Sequence, residues 1–417
     1  MSCALRLSKT MKQFFYTSAC VALILQASTA AAQLKNGIDV LLEKKFALIE
    51  GKKIGLITNR TGTTLEGAPT YHALAKRGAK LVALFAPEHG FAGDEEAGKK
   101  IASSTLGDLK IYSLYGKTNK PTPDMLADLD ALLFDIQDVG TRCYTYISTM
   151  KLAMQVCADA GKEFMALDRP NPIAPIAPQG FMLDTAFSSF VGLVKVPFIH
   201  GLTIGELATL IQAEELPTLK LTVVKMENYD RTQFFDSVKT LKFIAPSPNL
   251  ASVDAEILYP ATVFLEGLNV SEGRGTSTPF EVIGAPFIDA VKLINELKQY
   301  NLSGVRFDTI SFTPKAIKGK SENPKYRDNL CFGVRVIVVD RNAFQPFSVA
   351  VALLAALKKN HSENVRWMNK GNFFDKLVGT NTLRLMLDAG KSFEEITRAA
   401  QKSIDGIDEQ YKRARLY

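Results

Sequence analysis

Short apolar runs, each stopped by a glycine, proline or polar cluster, alternate along the first half of the chain with stretches of helical spacing. The most telling run is Leu81-Val82-Ala83-Leu84-Phe85-Ala86, which goes straight into Pro87-Glu88-His89-Gly90. Six apolar residues in a row are too few for a buried helix and fit a strand covered on both faces, as in a parallel sheet. Further strands are expected over residues 53–59, 109–115, 131–138, 163–167 and 219–226. Helices are expected over 69–77, 121–129, 144–160 and 204–215, the last with Thr203 and Glu206 spaced as a capping box. Strand and helix taking turns predict an α/β fold, a Rossmann-like parallel sheet with helices on both faces. Residues 180–196 read as an irregular or strand-rich insertion.

A proline-rich joint, Ala245-Pro246-Ser247-Pro248-Asn249, places the boundary of this first domain shortly afterwards, at residue 255. Between Tyr259 and Phe280 one apolar run leads into a loop in which acids, an arginine and small hydroxyl residues sit among glycines. Residues 288–300, 305–313, 332–339 and 348–358 alternate helix and strand and end in a polar helical tail. This predicts a smaller C-terminal α+β auxiliary domain over 256–417.

The beginning of the chain differs in kind. Arg6, Lys9 and Lys12 precede an apolar stretch from Phe14 to Leu25, and Ala30-Ala31-Ala32 supplies a small-residue cleavage pattern. Residues 1–32 therefore read as a signal peptide cut before Gln33, giving a periplasmic or secreted protein. The apolar run is shorter than the roughly 20 residues of a membrane-spanning helix, so no retained anchor is expected. Cutting there removes three cations and no acids, so the formal charge falls from +7 to +4. No basic run tracks a phosphate backbone, and no nucleic-acid partner is expected. Cys143, Cys157 and Cys331 remain, too few for a disulfide framework, and small buried thiols are the simplest reading. No Cys/His spacing suits a metal, and no Gly-x-Gly-x-x-Gly follows the first strand, so neither metal nor dinucleotide cofactor is expected.

The chemistry concentrates at strand ends. Asn59 with Thr61, Glu88 with His89, Asp138 with Arg142, and Asp168 with Arg169 each follow a predicted strand. A parallel sheet gathers its carboxyl ends at one rim, where α/β proteins bind ligands. Each cluster alone has a structural explanation, because strand ends need turn formers and helix caps. A glutamic acid against apolar walls keeps its proton closer to neutral pH, which suits a general acid.

The chain resembles the NamZ-type exo-β-N-acetylmuramidases, long described only as a bacterial domain of unknown function. The matching motifs are Gly55-Leu56-Ile57-Thr58-Asn59 with Thr61-Gly62, Ala86-Pro87-Glu88-His89-Gly90, and Asp135-Ile136-Gln137-Asp138-Val139-Gly140 with Arg142. Tyr144-Thr145-Tyr146, Asp168-Arg169-Pro170-Asn171-Pro172, His200-Gly201-Leu202-Thr203-Ile204-Gly205-Glu206-Leu207 and Glu272-Gly273-Arg274-Gly275-Thr276 complete the set. The resemblance implies release of N-acetylmuramic acid from non-reducing ends of peptidoglycan fragments, with Glu88 as catalytic acid.

Glycoside hydrolysis also needs a second carboxylate or help from the substrate's 2-acetamido group. Asp138 and Glu272 are the candidates for that second acid, with His89 tuning Glu88. The lactyl carboxylate of muramic acid calls for a forked cation; Arg274 is the first choice and Arg142 the second. Asn59, Tyr144, Tyr146, Arg169 and His200 are the remaining candidates for substrate contact. A periplasmic sugar- or muropeptide-binding protein without chemistry is the alternative reading, and a metallohydrolase built on His89, His200, Asp138 and Asp168 a weaker third.

Overall fold

The structure, a computed structural model, describes residues 33–417, and the expected signal peptide lies outside them. In chain order the elements of the first half are α1 (Gly37–Lys44), β1 (Lys53–Thr58), α2 (Thr70–Lys76), β2 (Lys80–Ala86), β3 (Ser104–Leu106), β4 (Leu109–Ser113), α3 (Pro123–Leu126), β5 (Ala131–Asp135), α4 (Tyr146–Asp159), β6 (Glu163–Leu167), α5 (Ile204–Glu215) and β7 (Leu221–Val224). They form one seven-stranded sheet in the order β3-β4-β2-β1-β5-β6-β7. All its pairings are parallel except that of the edge strand β3 with β4.

The unbroken apolar runs have a direct cause: the central strands are buried on both faces. Ile54 and Leu56, Leu84 and Ala86, Ala131 and Leu133, and Met165 and Leu167 turn to one face, where Ile38, Leu41 and Leu74 of α1 and α2 cover them. Ile57, Phe85, Leu132, Phe134 and Phe164 turn to the other, against Met150, Ala153, Met154, Leu207 and Ile211 of α4 and α5. Side chains alternating at period two thus meet helices on both sides.

The second half runs α6 (Val253–Thr262), a 3₁₀ turn (Val263–Gly267), β8 (Val282–Ala285), α7 (Ala290–Leu297), β9 (Val305–Phe312), β10 (Cys331–Val338), α8 (Pro346–Asn360), α9 (Asn372–Val378), α10 (Thr382–Asp388), α11 (Phe393–Ser403) and α12 (Ile407–Lys412). Its sheet is antiparallel, β8-β10-β9. The Rossmann-like and α+β architecture is therefore as the sequence predicts. Residues 35–417 form one compact unit, and the core that fills the α4–α5 side of the large sheet continues into α6, β8, β10 and α8.

Several expectations concern shorter segments. The apolar run at Tyr259 belongs to α6 and the 3₁₀ turn. Residues 180–196 take the irregular of the two expected forms, with a 3₁₀ turn and isolated bridges. The three cysteines are free and buried, and burial pushes the Cys143 and Cys157 thiols up to about 12. No described helix is long and apolar enough to cross a membrane.

Candidate active site

The first half of the site is built by the turn that ends β2. Pro87 stops the strand, Gly90 closes a turn onto the Pro87 carbonyl, and His89 adopts φ 69°. A left-handed backbone is uncommon at a non-glycine residue and persists only where the surrounding contacts hold it there. The turn leaves Glu88 only 7% exposed. Its Oε1 accepts from the Gly98 amide at 2.8 Å, and its Oε2 accepts from the Thr145 hydroxyl at 2.6 Å. Thr145 stands at the start of α4, so a loop following β2 and a helix following β5 hold one carboxyl group between them.

His89 is fixed equally firmly. Its Nδ1 lies 2.8 Å from the Glu95 carbonyl oxygen. A carbonyl only accepts, so Nδ1 carries the hydrogen and Nε2 the lone pair. Burial lowers the His89 pKa, with the Glu88 charge opposing, and the ring stays neutral. The imidazole lies 6.3 Å from the Tyr144 ring at an interplanar angle of 30°. Burial, with the Glu88 charge behind it, also pushes the Tyr115 phenol above its ordinary range.

The other wall comes from the second half of the chain. Glu88, His89, Tyr144 and Thr145 share a cavity with Asn249, Tyr259, Glu266, Arg274 and Phe280. Arg274 sits between Gly273 and Gly275, at φ 83° and 82°, where a Cβ would meet the Val282 and Lys315 carbonyl oxygens at 2.6 and 2.7 Å. Its Nη1 donates to Glu266 and, at 3.0 Å, to Glu272, and its guanidinium lies 4.9 Å from the Phe280 ring centre. Against the cost of burial, those two acids hold Arg274 charged beyond its ordinary range. Its Nη2 and Nε make no hydrogen bond among the described residues, and neither is sealed off as a buried orphan. That leaves a free guanidinium edge beside Glu88, able to meet a carboxylate.

Of the eleven expected site residues, Glu88, His89, Tyr144 and Arg274 line this cavity and seven do not. Arg142 is fully buried. It donates from Nη1 to the Phe181 and Val196 carbonyls at 2.8 and 2.7 Å and from Nη2 to that of Val378, so it ties loops together rather than meeting an anion. Asp138 accepts from the Gly140 amide at 2.9 Å and from His200 Nε2 at 3.2 Å. His200 Nδ1 in turn accepts from the Leu202 amide, which fixes the hydrogen on Nε2 and makes the pair a strand-end brace. Glu272 stands behind Arg274, bonded to it and to Lys325. Asn59 and Tyr146 bond each other at 2.9 Å, and the Tyr146 hydroxyl donates to the Pro246 carbonyl.

Arg169 forms a paired contact with Asp135 and lines a second, larger cavity with Thr61, Gln137, Phe243 and Glu256. That cavity opens near the ends of β1 and β5, the switch point of the sheet, where α/β proteins often bind ligands. Its arginine spends Nε and Nη2 on Asp135 and the Thr63 carbonyl, the atoms that Arg274 keeps unbonded, and burial holds the Glu256 carboxyl well above the ordinary range. The Glu88 cavity, with an acid and an open cation, is the better place for sugar chemistry. Among the described residues no group of three or more His, Cys, Asp or Glu is arranged to hold a metal ion.

Thr145, Asn249 and Glu266 line the cavity but do not feature among the expected residues. Thr145 stands inside one of the family motifs, and Glu266 six residues before another; no spacing rule marks either one.

The family model for the N-terminal part of the exo-β-N-acetylmuramidase NamZ matches residues 54–254, and that for its C-terminal part matches 257–417. The chain belongs to the NamZ exo-β-N-acetylmuramidase family. It is 41% identical, over 388 residues and 92% of each chain, to the peptidoglycan β-N-acetylmuramidase NamZ of Bacillus subtilis strain 168. Two crystal structures of DUF1343 family proteins from Bacteroides fragilis share the fold. One is 33% identical with a TM-score of 0.84, covering 92% of this chain and 99% of its own; the other is 29% identical with a TM-score of 0.72, covering 93% and 99%.

Proposed function

We propose that this protein is an exo-acting β-N-acetylmuramidase that removes N-acetylmuramic acid from non-reducing ends of peptidoglycan fragments, with Glu88 as general acid. The reading rests on one observation: a carboxyl group and an open guanidinium edge, Glu88 and Arg274, line the same cavity. Glu88 gives its proton to the glycosidic oxygen as the C1–O bond breaks. Thr145 and the Gly98 amide fix the carboxyl group, so little motion is needed before transfer. Arg274 takes the lactyl carboxylate through Nη2 and Nε, which selects muramic acid over a sugar lacking that ether. Neutral His89 and the Tyr144 ring close one side of the cavity. Residues 33–255 carry the acid, and residues 256–417 carry the anion clamp.

Glu88→Gln, assayed on a muramic acid disaccharide whose leaving group needs protonation, is expected to lose on the order of 10²–10⁴ in rate, the usual contribution of a general acid. Turnover close to that of the unaltered protein would remove Glu88 from the role. Accumulation of free N-acetylmuramic acid separates an enzyme from a binding protein. The protein acts outside the cytoplasm in this reading, exported by residues 1–32. Mass spectrometry of the extracytoplasmic protein should then find Gln33 at its amino terminus, and an intact Met1 there would contradict export by cleavage.

A further inference from the structure

Hydrolysis by a general acid leaves a second proton to be placed. Whatever attacks C1, water or the substrate's own 2-acetamido group, loses one proton as its oxygen bonds to carbon. Asp138, an expected acceptor, stands outside the cavity and is braced by His200 and the Gly140 amide. Glu272 has both oxygens occupied, Oε1 by Arg274 and Oε2 by Lys325, each at 3.0 Å, and its side chain is 5% exposed. In Glu88 both oxygens are likewise engaged, by Gly98 and Thr145.

Glu266 differs from all three. It projects from the 3₁₀ turn Val263–Gly267 into the cavity that Glu88 lines, with its side chain 17% exposed. One of its oxygens accepts from Arg274 Nη1. The other accepts no hydrogen bond among the described residues and is not sealed off from solvent. Arg274 opposes the rise in pKa that burial causes, and Glu266 brings to the cavity a carboxyl oxygen that no neighbour has claimed.

We propose that Glu266 is the proton acceptor of the reaction, partnering Glu88 across the bound sugar. The inference rests on the hydrolase reading above. In the step, the Glu88 proton passes to the leaving oxygen, and the C1–O electron pair goes with that oxygen. The attacking oxygen bonds to C1, and the proton its group sheds passes to the free Glu266 oxygen. Glu88 ends as carboxylate and Glu266 as acid, and exchange with solvent restores both. When water attacks directly, one water is consumed and two hydroxyls appear. When the acetamide attacks, the same water enters as the ring opens.

The charges around Glu266 are those of Arg274, Glu272, Lys325 and, across the cavity, Glu88. The Cys143 thiol and Tyr259 phenol also face it, and burial keeps both protonated. Burial raises the Glu266 pKa, and Arg274 opposes that rise. The acceptor is therefore lost as pH falls through a value above the ordinary glutamate range, and it forms the acid limb of the rate profile.

Two leaving groups provide the test. A nitrophenyl N-acetylmuramide needs little acid assistance, whereas a muramic acid disaccharide needs it fully. Glu88→Gln should therefore lose far more rate on the disaccharide. Glu266→Gln should lose roughly 10²–10⁴ on both substrates alike, with KM within about threefold of the unaltered protein and with the acid limb gone. Glu266→Asp keeps the pairing with Arg274 but retracts the carboxylate, and should lose at least tenfold on both substrates. Three outcomes overturn the proposal: either variant within threefold of the unaltered rate, a loss confined to the disaccharide, or a raised KM with unchanged kcat. If the unaltered protein releases no N-acetylmuramic acid from either substrate, the hydrolase reading itself fails.

Discussion

Glu272 shows how a residue can stand behind a cavity without lining it. Burial alone would raise its pKa, but Lys325 and then Arg274 more than offset that and hold the carboxyl at about 2. A folded-state pKa depressed below the ordinary 4.5 means that the group stabilises the fold above that value and stops doing so as pH falls toward 2. A shift of that size corresponds to about 3 kcal/mol, and removing one partner of a buried pair costs roughly 3–5 kcal/mol. Glu272→Gln is expected to unfold at lower denaturant than the unaltered protein at pH 7. The gap should narrow between pH 4.5 and 2, and a gap constant across that range would contradict the assignment. The sequence makes Glu272 look catalytic because it stands two residues from Arg274 in a glycine-rich stretch. Only the fold reveals that its two oxygens are spent on cations, and that Glu266 is the acid facing the cavity.

At the scale of elements, the turns following β2 and α9 do the most to shape the site and its surroundings. Pro87 and Gly90 mark the first in the sequence, and the strand does stop there, at Ala86. The second turn carries Gly379, the residue after α9, at φ 78°. A Cβ there would lie 2.4 Å from Arg142 Nη2, in a backbone region that side chains rarely adopt. Arg142 bonds the Val378 carbonyl beside it, so the glycine lets a buried cation from the first half clamp a helix end in the second. Gly379→Ala is expected to destabilise the fold by roughly 1–3 kcal/mol, strain and overpacking outweighing the entropy removed from the unfolded chain. Denaturant unfolding at neutral pH checks this, and equal or greater stability in the variant would contradict it. Strand and helix positions were legible because apolar runs and caps are local signals; Thr203 and Glu206 form the expected capping box on α5. Element ends were less legible. The strand expected to reach Asp138 stops at Asp135, and the helix expected from Tyr144 starts at Tyr146.

In the molecule as a whole, the cavity exists because two halves distant in sequence are packed around one continuous core. Glu88 and Thr145 come from the parallel sheet's rim, while Glu266, Arg274 and Phe280 come from the segment between α6 and β8. The hydroxyl of Tyr417 extends the same theme, donating to Asp168 at 2.7 Å at the far end of β6. From the sequence alone came the alternating α/β order, the strands buried on both faces, the motifs of the family, and Glu88 and Arg274 as residues of interest. All of these are carried by neighbours along the chain, so periodicity and spacing expose them. Which acids share a cavity, and which arginine keeps donors open to it while another is clamped, were decided by tertiary packing. Those outcomes depend on contacts between residues more than a hundred positions apart, and on which hydrogen-bonding groups remain unspent once the core has closed.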